Sequence, residues 1–175
     1  MKTIFFFIIA FSTISYGQNK ATTKKPALSI ENYVRSVDNL TLEAALEITK
    51  RVTQTASAMN KNISLAILDA SGTTILLTRG DQVGPHNTEA SRRKAFTALS
   101  TKTPTLLLMR NAAANPDTNN LNSLPELLLL SGGVPIWFNG NIIGSIGVSG
   151  GGSPENDDLI AKAAAIPELG ITTTK

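Results

Sequence analysis

The sequence contains no cysteine. This absence excludes disulfides, catalytic thiolates and cysteine-ligated zinc or iron–sulfur sites, and it also excludes a lipoprotein-type anchor, which needs a cysteine sulfur. A domain built from this chain therefore depends on its packed core for stability, and a hydrophobic content of 42% is enough to form one.

Histidine and aromatic residues are also scarce. The single histidine, His86, argues against a zinc site built from several imidazoles. Aromatic residues make up 5% of the chain, and the formal net charge is +3, of which Lys2 supplies one unit. Because no basic stripe is interleaved with aromatic residues, the composition argues against a nucleic-acid partner.

The usual catalytic and nucleotide-binding signatures are missing. The chain has no G-x-S-x-G elbow, no G-x-G-x-x-G that opens a helix, and no Walker A lysine after a glycine loop. Glu155, Asp157 and Asp158 lack the spacing of a calcium loop and are interpreted as complements to a helix dipole. Asp69 is interpreted as an Asx-turn residue. No catalytic residue is identified.

Residues 1–17 are typical of a secretory signal peptide. The apolar run Ile4–Phe11 has the right length for one, and small residues predict cleavage after Gly17. We expect a periplasmic or secreted protein with no membrane span after cleavage, and an uncleaved anchor is the alternative. Residues 18–37 are interpreted as a linker and lead-in, and residues 38–170 as the domain.

Hydrophobic periodicity predicts the element order α-β-β-α-loop-β-β-α. The predicted helices cover residues 41–59 and 89–100 and a segment after Ser153, the predicted hairpins cover 63–78 and 134–148, and the long loop covers 111–122. The dipeptide Asn139-Gly140 is typical of a type I′ hairpin turn, and Gly144 and Gly147 indicate close backbone approach inside a strand. Ile171–Lys175 is expected to fray. This order predicts an α+β fold with one mainly antiparallel sheet.

The second predicted helix carries the residues with the clearest functional potential. Thr88 is its expected N-cap, and Glu89 is placed to pair with Arg93. Two interpretations are open for Arg93 and its neighbour Lys94: a solvated face, or a contact with a ligand carboxylate. His86 precedes the helix in a glycine-flanked loop, where it is either simply exposed or an axial ligand, since haem needs only one or two such ligands.

Three motifs, in chain order, resemble those of one known family. They are LTLEAALEITKRV followed by ISLAILDASGTTILLTRGD, then EASRRKAFTAL, then GGVPIWFNGNIIGSIGVSGGGSPENDDLIAKAAA. Together they resemble the GlcG/HbpS-like haem-binding family, or DUF336 domain, over residues 40–165. The resemblance implies a profilin-like α+β domain whose central antiparallel sheet is flanked by helices, and a protein that is often a homo-oligomer.

The resemblance also implies haem as a cofactor and partner. It places His86 as the axial ligand of the iron, with Thr88 as the alternative, and Arg93 or Lys94 near a propionate. Gln82 stands where the family has a glycine. An exported haem-binding protein in haem or iron handling or redox sensing is therefore expected. The alternatives are a haem-degrading or other small-molecule enzyme, and a cofactor-free oligomeric accessory protein that uses the apolar run Leu124–Leu130.

Overall fold

The computed structural model describes residues 28–175, in which Ser36–Lys175 forms one compact unit. The described part of the chain before Ser36 holds a single 3-10 turn, Ile30–Asn32. Within residues 28–175, every helix is too short or too polar to cross a membrane.

Four α-helices belong to the compact unit, and two of them begin as the sequence predicts. Their bounds are α1 (Leu42–Ala58), α2 (His86–Thr101), α3 (Thr105–Ala114) and α4 (Pro154–Lys162). Thr41 Oγ1 accepts a hydrogen bond from the Ala44 amide, which confirms Thr41 as the N-cap of α1. Ser153 Oγ accepts from the Asn156 amide in the same way and confirms the predicted start of α4.

Five strands form one antiparallel sheet in the order β2-β1-β4-β3-β5, and the predicted α+β fold is confirmed. The strands are β1 (Ser64–Asp69), β2 (Thr74–Arg79), β3 (Gly133–Phe138), β4 (Asn141–Ser149) and β5 (Ile171–Thr172). Asn139 and Gly140 both have positive φ, 49° and 76°, as a type I′ turn between β3 and β4 requires. Asp69 Oδ1 accepts from the amides of Ser71 and Thr73, which confirms the Asx-type turn between β1 and β2.

The two faces of the sheet are packed differently. One face carries large aliphatic side chains against α1 and α4 and forms the main core, which includes Ile48, Val52, Leu65, Ile67, Val134, Ile136, Ile146, Val148 and Ile160. The other face carries small residues, among them Ala66 and Gly147, and α2 packs there through Ala95. Because period-2 alternation separates the two sets, the central strands β1, β3 and β4 contribute to both layers.

Gly147 and Gly133 allow α2 to lie directly on the sheet. A Cβ built on Gly147 would overlap the carbonyl oxygen of Ser91 and lie 2.6 Å from the Ala95 amide nitrogen. A Cβ on Gly133 would overlap the carbonyl oxygen of Lys94. The close backbone approach expected at Gly147 is confirmed, and together with the contact at Gly133 it fixes α2 backbone to backbone against β3 and β4.

Three local predictions are wrong. Helix α2 begins at His86 rather than after Thr88, because Pro85 has a helical φ of −59° and the chain already turns there. The predicted loop over 111–122 contains the end of α3 and the 3-10 segment Pro116–Ser123. The C-terminus pairs with β3 through β5 instead of fraying.

Candidate functional site

Two of the four predicted site residues line one pocket. His86 stands at the first position of α2, and Lys94 follows about two turns later. Thr88 and Arg93 lie on the same helix but are not among the residues that line this pocket. The helix therefore divides the predicted set into a pair inside the pocket and a pair outside it.

The pocket has a volume of about 370 Å³ and continues into open solvent. Its walls come from the start of α2, from α3, from the segment before β3, and from the glycine loop that joins β4 to α4. Its apolar wall consists of Ala90, Met109, Leu130 and Pro154. Apolar walls with a few placed polar groups are typical of small-molecule sites, and this volume lies at the low end of their range.

The His86 side chain is exposed, and its ring makes no hydrogen bond with any residue of the range 28–175. Gly84 lies beneath it: a Cβ built there would be 2.9 Å from Cε1 and 3.1 Å from Nδ1 of the ring. A neutral imidazole nitrogen without a partner is a good ligand for iron. The ring is therefore available for coordination at the mouth of the pocket.

Lys94 is held in a buried ion pair at the floor of the pocket. Its side chain is 4% exposed, and Nζ donates to Asp157 Oδ2 at 2.8 Å, to the Val148 carbonyl oxygen at 2.9 Å and to Ser149 Oγ at 3.2 Å. The second carboxylate oxygen of Asp157 accepts from the Gly151 amide at 2.7 Å. The interpretation of Asp157 as a complement to the helix dipole is thus incomplete, because this carboxylate neutralises Lys94.

The hydrogen bonds continue from Lys94 back to the start of α2. Ser149 Oγ donates to Asn87 Oδ1 at 2.7 Å, and Asn87 is the direct neighbour of His86. The chain of contacts from Asp157 to Asn87 therefore joins α4, the end of β4 and the first turn of α2. It fixes the backbone position from which the His86 ring projects.

The arginines of α2 make structural contacts away from the pocket. Arg93 Nη2 donates to the carbonyl oxygens of Pro125 and Leu127, at 2.6 Å and 2.7 Å, and so holds the segment before β3 against the helix. Arg93 Nε is buried without a partner among the described residues. Glu89 pairs with Arg92 and not, as expected, with Arg93, and the hydrogen bond from Arg92 lowers the pKa of Glu89.

The sequence does not single out Asn87, Met109 or Ser149 as site residues. They lie on α2, α3 and β4, and only the packing of these elements brings them beside His86. Asp157 is visible in the sequence as an acid of the first turn of α4, but its partner Lys94 is 63 residues away along the chain. No local pattern links the two.

A larger groove of about 900 Å³ lies at the N-terminal end of α1. Its lining contains no histidine and no methionine, and its charged members are Asp38, Glu43, Glu47 and Lys50. Among residues 28–175, no group of three or more histidine, cysteine or acidic residues is arranged to hold a metal ion. We therefore place the candidate site at the smaller pocket, where a nitrogen ligand and an apolar wall occur together.

This donor set fits haem better than it fits a bare metal ion. One exposed imidazole supplies a single axial bond, which suffices for an iron whose other bonds come from a porphyrin. The apolar wall suits the faces of such a ring, and the opening leaves room for its polar edge. Because Lys94 and Asp157 are engaged with each other, the pocket offers no evident acid–base pair for hydrolysis.

Comparison with known proteins gives a consistent result. The family described as haem degrading protein HbpS-like matches residues 40–166. An uncharacterised 15.0 kDa protein from the dhaT–dhaS intergenic region of Citrobacter freundii is 29% identical over 137 residues, which cover 76% of this chain and 94% of that protein. The family match, over residues 40–166, spans every element that lines the pocket.

Two solved structures share the fold. A double mutant of HbpS from Streptomyces reticuli superposes with a TM-score of 0.70 at 33% identity, covering 80% of this chain and 94% of that chain. A PduOC:haem complex superposes with a TM-score of 0.70 at 28% identity, covering 78% and 99%. The second structure contains haem bound to a protein of this fold.

Proposed function

Because the chain belongs to the HbpS-like family, we propose that it is a haem-binding protein and that haem occupies the pocket at the N-terminus of α2. The observation that carries the proposal is the position of His86, exposed and without a hydrogen-bond partner in residues 28–175, at the mouth of a partly apolar pocket. The haem complex of the structurally similar PduOC supports the same ligand class.

In this proposal His86 would hold the haem iron through an imidazole nitrogen. Ala90, Met109 and Leu130 would pack against the porphyrin and exclude water from part of its surface. The bound iron would provide redox and ligand-binding chemistry, while the chain contributes position and polarity. Thr88 remains the alternative ligand, and its place outside the pocket lining favours His86.

A titration of the purified protein with hemin tests the proposal. We expect a shifted Soret band at micromolar hemin that saturates, and a shift that is lost or moved in His86→Ala. Thr88→Val is the matched control on the same helix turn and should leave the spectrum unchanged. A wild-type protein that gives no Soret shift, or a His86→Ala variant with the wild-type spectrum, would refute this assignment.

Haem degradation is the second candidate function, and the description of the family favours it. The pocket itself favours binding, because its one buried ion pair is internally neutralised. Incubating the haem complex with a reductant and oxygen separates the two. Loss of the Soret band with release of iron beyond that of free hemin would establish degradation, and a stable band would leave binding as the activity.

We further propose that haem is bound outside the cytoplasm, for haem or iron handling or redox sensing. The support is the signal-peptide pattern of residues 1–17, which lie outside the described residues. Cell fractionation with N-terminal sequencing tests export and cleavage after Gly17. Finding the uncut chain in the cytoplasm would contradict it.

We also propose that the protein is a homo-oligomer. Within the apolar run Leu124–Leu130, Leu127 and Leu129 are buried and Leu130 lines the haem pocket, while Leu124 is exposed outside the pocket and is available to contact a second copy. Light scattering on the apo-protein and on the hemin-loaded protein measures the mass. A monomer in both states would count against the proposal.

A further inference from the structure

The pocket that we assign to haem has no free cation in its lining. Lys94 is its one lysine, and the Asp157 carboxylate already neutralises it. Haem carries two propionates, which are anions at neutral pH and are stabilised by nearby cations. Any cation that pairs with these carboxylates would therefore come from residues that flank the pocket, and this inference rests on the proposed function.

Lys61 flanks the pocket beside the glycine loop. It lies in the turn that follows α1, and its ammonium covers Gly152: a Cβ built on that glycine would be 3.2 Å from Nζ. Among residues 28–175, no carboxylate lies within salt-bridge distance of Lys61. Because Gly152 is part of the pocket lining, this uncompensated charge stands at the edge of the site.

Arg110 lies on α3, at the flank of the pocket. It directly follows Met109, which lines the pocket, and it is 58% exposed. Its one hydrogen bond to a described residue runs from Nη2 to Glu155 Oε1 at 3.1 Å, and Glu155 follows Pro154, another lining residue. A guanidinium has five N–H donors, so Arg110 keeps most of them available for a second carboxylate.

We propose that Lys61 and Arg110 form a clamp that binds the two carboxylates of the ligand, one on each flank of the pocket. The clamp selects a dicarboxylate porphyrin over a neutral or esterified one. The basic residues then have separate roles: Arg93 and Lys94 stabilise the fold, while Lys61 and Arg110 bind the ligand. Glu155 competes with a ligand carboxylate for Arg110 and so limits the affinity of the pocket for the unesterified porphyrin.

The test compares hemin with its dimethyl ester by Soret titration. We expect the wild type to bind hemin more tightly than the ester, and we expect Lys61→Gln and Arg110→Gln each to weaken hemin binding roughly threefold to tenfold. Ester binding should be unchanged in both variants. Glu155→Gln should tighten hemin binding. Lys50→Gln removes the same charge from the exposed face of α1 and serves as the matched control.

The experiment distinguishes a failure of the clamp from a failure of haem binding. If the wild type binds hemin and its dimethyl ester equally, or if both variants bind hemin like the Lys50→Gln control, the clamp is refuted while haem binding stands. If the wild type binds neither compound, both the clamp and the proposed function are wrong. The ester comparison uses the unmodified protein, so its result does not depend on the folding of any variant.

Discussion

Replacing Lys94 by methionine should destabilise the protein strongly. Methionine keeps the length of the buried side chain but removes the ammonium, which donates to Asp157, to Ser149 and to the Val148 carbonyl. The Asp157 carboxylate, whose side chain is 12% exposed, would then remain buried. Its remaining hydrogen-bond donor would be the Gly151 amide. An uncompensated buried charge is among the costliest defects that one substitution creates.

The expected loss is about 3 to 5 kcal/mol of the free energy of unfolding, the usual cost of breaking a buried ion pair from one side. Small proteins lose about 1 to 3 kcal/mol per molar urea, so the unfolding midpoint should fall by about 2 M. Asp157→Asn should cost a similar amount, because it leaves the buried Lys94 ammonium without a counter-charge and, when its amide oxygen accepts from Gly151, turns its NH2 group toward that ammonium. The double variant should then be less destabilised than the sum of the two single variants.

Urea denaturation followed by circular dichroism measures all three variants. Lys50→Met, which removes an exposed lysine from α1, controls for the loss of one positive charge and should change stability by less than about 0.5 kcal/mol. A loss below about 1 kcal/mol in Lys94→Met, with additive single substitutions, would mean that Lys94 and Asp157 do not depend on each other.

The remaining predictions concern the packing of α2 and the first hairpin. Gly147→Ala should cost about 3 kcal/mol, because its Cβ would collide with the backbone of α2, whereas Gly140→Ala meets no atom within 4 Å and should cost about 1 kcal/mol for its positive φ. Thermal unfolding of the pair measures the difference, and equal losses would contradict the close packing. Burial raises the pKa of Asp69, but hydrogen bonds from Ser71 and Thr73 outweigh it and leave the pKa lowered. The wild type should therefore exceed Asp69→Ala in stability by its full margin above about pH 5, and this margin should shrink as the pH falls below about 4. A margin that stays constant down to pH 2 would contradict this.

Most of the secondary structure follows from local signals. Thr41 and Ser153 cap their helices through contacts with residues three positions ahead, and Asn139-Gly140 supplies the two positive φ angles of its turn. Such features depend on neighbours in the chain, so the sequence is sufficient to predict them. The same holds for the alternation that directs one face of each strand into the main core.

The errors arise where distant contacts decide the outcome. The C-terminal segment is short and mostly polar, and Ile171–Thr172 is ordered by pairing with the edge of β3, while Ile171 also pairs with Ile166. Glu89 can pair with Arg92 at i+3 or with Arg93 at i+4, and Arg93 instead donates to the carbonyl oxygens of Pro125 and Leu127. Neither contact has a signature in the surrounding residues.

In the candidate site, too, local features are predictable from the sequence and distant contacts are not. His86 stands out in the sequence because it is the only imidazole, yet its pocket is assembled from α2, α3, the glycine loop and α4. The neutralisation of Lys94 depends on Asp157, which is 63 residues away. The sequence therefore identifies the candidate ligand but cannot separate the basic residues that stabilise the fold from those that flank the pocket.

The attachment of α2 to the sheet has a consequence for how such a site can diversify. At Gly133 and Gly147 the contact is between main-chain atoms, so it makes no demand on the side chains along the outer side of the helix. Substitutions at His86, whose ring makes no hydrogen bond among residues 28–175, can therefore exchange one ligand-binding group for another without disturbing the core. The fold holds the backbone of α2 in place and leaves the exposed side chain at its start open to change. Relatives with the same backbone contact can therefore carry different chemistry at that position.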